Sequence, residues 1–254
     1  MSDKSIILRV ENLKTYFPVK TGLLRRISGF IRAVDDVSFS VKRGQVLGLV
    51  GESGCGKSTV ARSVTRLEKA TSGKVFFNEL DVLSAGRKEM LDLRKRMSLI
   101  FQDPYSSLNP RMTVGNIIGE PVKTHRVASG KNLYEKVSDI LAKVGLSPEY
   151  INRYPHEFSG GQRQRISIAR ALALSPELVI CDEPVSALDV SIQAQIVNLL
   201  KELQSEYSLT LLFIAHDLAV VQFFCDIIAV MYLGRIVEQA PSDLLYDRPL
   251  HPYT

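Results

Sequence analysis

The run Gln45-Val-Leu-Gly-Leu-Val50 is short and mostly apolar, and Gly51-Glu-Ser-Gly-Cys-Gly-Lys-Ser-Thr59 follows it directly. From Lys57 to Leu67 the chain then places Val60, Val64 and Leu67 on one helical face. Strand, glycine-rich loop and helix in that order form a phosphate-binding context. Glycines at 51, 54 and 56 let the backbone fold tightly, so that N–H groups of Ser53, Cys55 and their neighbours converge on phosphate oxygens at the positive end of a helix. Lys57 is expected to reach the β- and γ-phosphates, Ser58 to offer a hydroxyl to Mg²⁺, and Thr59 to continue the loop into the helix. A dinucleotide-binding loop fits less well, because Lys57 and Ser58 follow the last glycine where that motif needs close helix packing.

Strand-like runs at Ile6–Val10, Val34–Val41, Gln45–Val50, Lys74–Asn78, Met97–Phe101, Leu178–Asp182, Leu209–Ala215 and Ile227–Met231 alternate with helical patterns. Such alternation implies a largely parallel sheet with helices on its faces, preceded by antiparallel strands. Between Gln102 and about Ser175 the strand signal stops. Helical patterns at Thr113–Ile118, Leu133–Val144 and Ser159–Leu174 replace it, punctuated by Pro104, Pro110, Pro121, Pro148 and Pro155. The expected architecture is one α/β domain over 1–254, with a core (1–101 and 176–254) interrupted by a helical subdomain (102–175).

The 254 residues are 45% hydrophobic, enough for a sizeable core, yet the longest apolar stretches fall far short of a membrane span. Met-Ser-Asp-Lys-Ser lacks the pattern of a secretory signal, which points to the cytoplasm. Cys55, Cys181 and Cys225 suit neither a disulfide framework nor a zinc site and are expected to be reduced thiols. Lys20, Arg25, Arg26 and Arg32 supply +4 of the net +5 charge, with no acid between Val19 and Ala33. Interleaved with Leu23, Leu24, Ile27, Phe30 and Ile31, they read as a short amphipathic helix for a membrane or nucleic acid, or as a solvated insertion on its own domain.

Further along, Leu178-Val-Ile-Cys-Asp182-Glu183 is an apolar strand ending in two carboxylates, at the end where open α/β sheets bind ligands. Asp182 is placed to hold Mg²⁺ and Glu183 to deprotonate an attacking water. Gln102, after the strand Met97–Phe101, can touch the metal or the water while its backbone responds to the helical insertion. His216, ending the strand Leu211–Ala215, can contact a γ-phosphate. Phe158-Ser-Gly-Gly-Gln162 opens a strong amphipathic helix with Ser159 as N-cap, and the pair Gly160-Gly161 makes this helix start a second anion site. A single γ-phosphate needs both helix starts only if they come from different subunits.

This combination resembles the ATP-binding subunits of ABC transporters, from Asn12 to Thr254. The resemblance implies a P-loop ABC ATPase core with a mixed sheet, an antiparallel β subdomain and an inserted helical subdomain. It makes Gly51–Thr59 the Walker A loop, Gln102 the Q-loop, Ser159–Gln162 the signature and Leu178–Asp182 the Walker B strand. Glu183 becomes the catalytic glutamate, Ser186-Ala-Leu-Asp189 the D-loop, His216 the switch histidine, and Tyr16 the aromatic that stacks on adenine. Ala33-Val-Asp-Asp-Val-Ser, Phe101-Gln-Asp-Pro-Tyr-Ser-Ser-Leu-Asn-Pro-Arg111 and His251-Pro-Tyr-Thr254 resemble the oligopeptide and dipeptide importer subfamily, whose nickel-carrying relatives share much of this wording. Family members commonly continue into a tail that in several holds an iron–sulphur cluster; none is expected within these residues.

What the resemblance implies is an ATP- and Mg²⁺-dependent motor that closes as a pair of nucleotide-binding subunits, identical or related, on the cytoplasmic face of the cell membrane. Its expected partners are transmembrane permease subunits, docked along Gln102–Glu120, a second ATP-binding subunit and, indirectly, an extracytoplasmic substrate-binding protein, with no nucleic acid. The alternative is an ABC-type ATPase with a cytoplasmic role outside transport. A DNA-maintenance ATPase needs a long coiled coil between Ser58 and Asp182, and translation-type proteins usually carry two cassettes. A GTPase should carry an Asn-Lys-x-Asp guanine reader, which the chain lacks.

Overall fold

The computed structural model describes residues 5–22 and 26–254. In chain order the elements are β1 (Ile6–Thr21), β2 (Arg26–Lys42), β3 (Val46–Val50), α1 (Lys57–Val64), β4 (Ser72–Phe77), β5 (Leu80–Asp81), α2 (Arg87–Arg96) and β6 (Met97–Ile100). They continue as α3 (Pro104–Ser107), α4 (Val114–Thr124), α5 (Gly130–Lys143), α6 (Gly160–Leu172), β7 (Leu178–Asp182) and α7 (Val190–Tyr207). The last are β8 (Thr210–Ala215), α8 (Leu218–Gln222), β9 (Ile227–Tyr232), β10 (Arg235–Pro241) and α9 (Ser242–Asp247). Two compact units result, Met1–Met90 with Thr210–Thr254, and Leu91–Leu209. Among the described residues no helix is long and apolar enough to cross a membrane.

The first unit holds an antiparallel sheet in the order β2-β1-β4-β5 and strands in the order β10-β9-β3-β8. In the second group β3 is parallel to both β8 and β9, while β10 returns antiparallel to β9. Every residue of β3 and β8 is buried, as their unbroken apolar sequences require of strands covered on both faces. Val50 is in register with Ala215 and with Val230. The loop after β3 and His216 after β8 therefore leave the sheet at the same carboxyl edge, where a parallel sheet collects ligand-binding loops.

The described parts of the basic segment, 20–21 and 26–32, are strand rather than helix. Lys20 pairs with Ile27 and Thr21 with Arg26, extending the β1–β2 ladder that continues through Phe17–Ile31 and Tyr16–Arg32. Ile27, Phe30 and Ile31 do have helical spacing, but β-branched and aromatic residues such as these favour the extended form once a partner strand is available. Leu23, Leu24 and Arg25 lie outside the described residues.

In the second unit β6 and β7 run parallel, with Ile100 opposite Cys181. Helices α4, α5 and α6 share a core made of Val114, Ile117, Ile118, Val122, Val137, Leu141, Ile166 and Ile168, each nearly or fully buried. Thr113 caps α4 by accepting from Asn116 N, and burial of the helix's apolar face carries it through Pro121, which lies inside it rather than ending it.

Candidate functional site

The loop Gly51–Gly56 is shaped by glycine. Gly51, Gly54 and Gly56 have φ of 154°, 81° and 110°, a region that L side chains rarely enter. Space imposes the same demand, since a Cβ on Gly51 would collide with the Met231 carbonyl oxygen and one on Gly56 with that of Ala33. Gly56 is the left-handed N-cap of α1, and no side chain caps that helix or places an acid in its first turn. The start of α1 thus keeps its N–H dipoles for an anion.

Lys57 is buried, and its ammonium donates to Gly51 O at 2.7 Å and Glu52 O at 2.8 Å. Glu52, Ser53 and Gly54 are exposed around it. Burial pushes the Cys55 thiol up, against the pull of the adjacent Lys57 charge. Ser58 and Thr59 sit in the first turn of α1, both half-buried.

Around this loop the first unit places two more expected residues. His216 stands exposed just past β8, followed by Asp217, which caps α8 by accepting from Ala219 N at 2.8 Å. Tyr16 donates its hydroxyl to Asp35 Oδ1 at 2.5 Å, and the Arg32 guanidinium lies 5.7 Å from its ring centroid. Asp35 in turn accepts from Arg235 at 2.7 and 3.2 Å. The Tyr16 bond and then the Arg235 bonds hold the Asp35 carboxyl below the usual range, and donation to Asp35 raises the Tyr16 phenol.

The second unit brings Gln102 and Glu183 together. With Ile100 opposite Cys181, the two chains leave the sheet side by side, and Gln102 Nε2 donates to Glu183 Oε2 at 2.9 Å. Glu183 is buried and held at φ 46°, unusual for a residue with a Cβ, while Ser186 bonds back to its carbonyl through both N and Oγ. Asp182 is almost completely buried at the end of β7, and burial pushes the preceding Cys181 thiol up to about 12.

Ser159 and Gln162 form a capping box at the start of α6: Ser159 Oγ accepts from Gln162 N, and Gln162 Oε1 accepts from Ser159 N at 3.0 Å. Gly160 and Gly161 also serve packing. A Cβ on Gly161 would lie 2.6 Å from Ile192 Cγ2 of α7, and one on Gly160 would lie 3.3 Å from Leu188 Cδ2. Asp189 caps α7, accepting from Ile192 N at 3.0 Å and Ser191 Oγ at 2.7 Å, and the Ile192 bond leads in lowering its carboxyl pKa.

Three residues around the loop have no role in the sequence reading. Asp35 and Arg235 fix Tyr16, and Tyr253 accepts a hydrogen bond from Glu52 N. Asp35 and Tyr253 fall within the very strings that mark the subfamily resemblance, and that was their only signal.

A family profile described as "ABC transporter" matches residues 34–186. The oligopeptide transport ATP-binding protein AppF of Bacillus subtilis is 54% identical over all of this chain and 77% of its own length. OppF of the same organism is 56% identical over 98% of this chain and 80% of its own. Among solved structures, a dimeric ATP-binding cassette in a post-hydrolysis state with ADP and Pi superposes with a TM-score of 0.81 at 27% identity, covering 92% of this chain and 98% of that one. The structure of cbiO1 from Clostridium perfringens, part of the ABC transporter complex cbiONQ, gives the same TM-score at 27% identity over 96% of this chain and 92% of its own.

Proposed function

The chain belongs to the ABC transporter family of ATP-binding proteins, and from that premise we propose that it is the ATP-hydrolysing subunit of a membrane importer for di- or oligopeptides. The carrying observation is identity above one half, over 98–100% of this chain, to oligopeptide transport subunits, joined to a glycine loop whose shape fits phosphate. The subunit would act at the cytoplasmic face of the membrane with permease subunits, and Gln102–Glu120 is the stretch we assign to permease contact.

In this reading the α1 N–H groups hold phosphate oxygens, and Lys57 exchanges its bonds to Gly51 O and Glu52 O for bonds to phosphate. Tyr16, oriented by Asp35, stacks on the adenine. Ser58, Asp182 and Gln102 offer the oxygen donors that suit Mg²⁺, which when bound offsets phosphate charge. Glu183, steadied by Gln102, takes the proton from the attacking water, and His216 contacts the γ-phosphate.

A second copy, or a sister subunit, presents Ser159–Gln162 and Asp189 to the bound triphosphate. Closure follows from the bonds that exist only in the paired state, and their loss on hydrolysis reopens it. The test is Ser159→Arg: ATP binding to the monomer is retained while turnover and ATP-induced pairing, read by size-exclusion chromatography, disappear. Unchanged turnover would remove the paired-site reading.

A further inference from the structure

The phosphate loop is gripped from outside by a segment to which the nucleotide chemistry gives no task. After α9 the chain closes a small turn, with Thr254 N donating to His251 O at 2.9 Å and Tyr253 N to His251 Nδ1 at 3.2 Å. Glu238 on β10 anchors this turn, its two oxygens accepting from Leu250 N at 2.8 Å and His251 N at 3.0 Å. From there the Tyr253 ring packs on Tyr232, centroids 4.3 Å apart, and its hydroxyl accepts from Glu52 N at 2.9 Å.

Glu52 is thereby held at both ends of its backbone. Its N–H is fixed by Tyr253 and its carbonyl oxygen accepts from Lys57. A second tether joins the same loop to the β9–β10 turn, where Gly234 N donates to Cys55 O at 3.0 Å. A loop with three glycines has much freedom to lose when a ligand orders it, so contacts that order it beforehand raise affinity.

We propose that Tyr253 is a positioning residue for the nucleotide, fixing the Glu52 N–H and with it the glycine loop that receives the phosphates, and that Glu238 holds Tyr253 in place. This rests on reading Gly51–Thr59 as the ATP site. Tyr253 bonds to the loop that receives the phosphates, so its contribution belongs to binding rather than to the chemical step.

Tyr253→Phe keeps the ring and deletes the acceptor. The expected result is MgATP binding weaker by about threefold to tenfold, the worth of one hydrogen bond, with KM raised by the same factor and kcat within about twofold. Glu238→Ala should produce the same loss, and the double variant should be no weaker than the worse single one, because both act along one path. Melting of the nucleotide-free protein serves as the control for a purely structural role. Wild-type affinity in Tyr253→Phe, a fall confined to kcat, or a lowered melting temperature at unchanged affinity would each overturn the proposal. A wild-type protein that fails to bind MgATP would instead overturn the nucleotide reading on which it rests.

Discussion

Gln102 donates its side-chain amide to the Glu183 carboxylate at 2.9 Å, although the two are 81 residues apart in the chain. The parallel pairing of Met97–Ile100 with Leu178–Cys181 brings them together, since the next residues of both strands must emerge at the same edge. The Gln102 amide thereby fixes the orientation of the carboxylate, which a water-orienting base needs.

Glu183→Gln removes the base proposed above with almost no change of shape. ATP turnover should fall by about 10²- to 10⁴-fold while ATP affinity stays near wild type, and the paired state should accumulate with ATP. Phosphate release and sedimentation in the presence of ATP check both parts. Turnover at the wild-type rate would show that Glu183 is not the base.

Gln102→Ala leaves the carboxylate in place but loosens it. A hydrogen bond to a charged group is worth enough that turnover should drop by roughly tenfold to a hundredfold, less than for Glu183→Gln. Combining the two changes should add little to the Glu183→Gln loss, and full additivity would separate their roles.

Gly161→Ala tests the packing account of the signature glycines. The added methyl meets Ile192 Cγ2 at 2.6 Å, and overpacking of this kind costs about 1–3 kcal/mol in unfolding free energy. Ile192→Ala deletes the obstructing atom, so the double variant should recover part of the loss in a urea titration. A double variant less stable than the sum of the singles would contradict the contact.

The Tyr16–Asp35–Arg235 cluster gives stability a pH dependence of known sign. The Asp35 pKa lies below its ordinary 3.8 in the folded chain, so its contribution is complete above the unfolded pKa and fades as pH falls through the folded one. The Tyr16 phenol is raised above 10.0, so its share is complete below that value and fades as pH rises through the folded pKa. Asp35→Asn should therefore lower the melting temperature most near neutrality, with the gap to wild type closing below about pH 3. A gap that stays constant from neutral to acid pH would refute the assignment.

Residues whose role follows from local sequence were legible without coordinates. Val46–Val50, Leu178–Cys181 and Leu211–Ala215 are apolar runs, and each lies in a fully buried strand. What depends on pairing was not. Ile27, Phe30 and Ile31 fit a helical face as well as a strand, and only the partner Phe17–Lys20 decides between them. The sequence reading names no helix over Val190–Tyr207, although Ile196, Leu199, Leu200 and Leu203 carry helical spacing along it. Pro121 reads as a break because local propensity cannot weigh the tertiary burial that overrides it. Asp35, Arg235 and Tyr253 escaped notice because each acts across a long sequence separation, 19, 200 and 201 residues in the relevant bonds.

The Val50–Ala215 register has a lasting consequence. Because the glycine turn and His216 are rooted in the same rung of neighbouring strands, insertions in distant loops leave their spacing untouched. A one-residue slip of either strand would displace its root by about 3.3 Å and turn its side chains to the opposite face. Lineages descended from such a chain can lengthen or shorten surface loops between the two strands, but the number of rungs beneath these two groups is a quantity they must inherit unchanged.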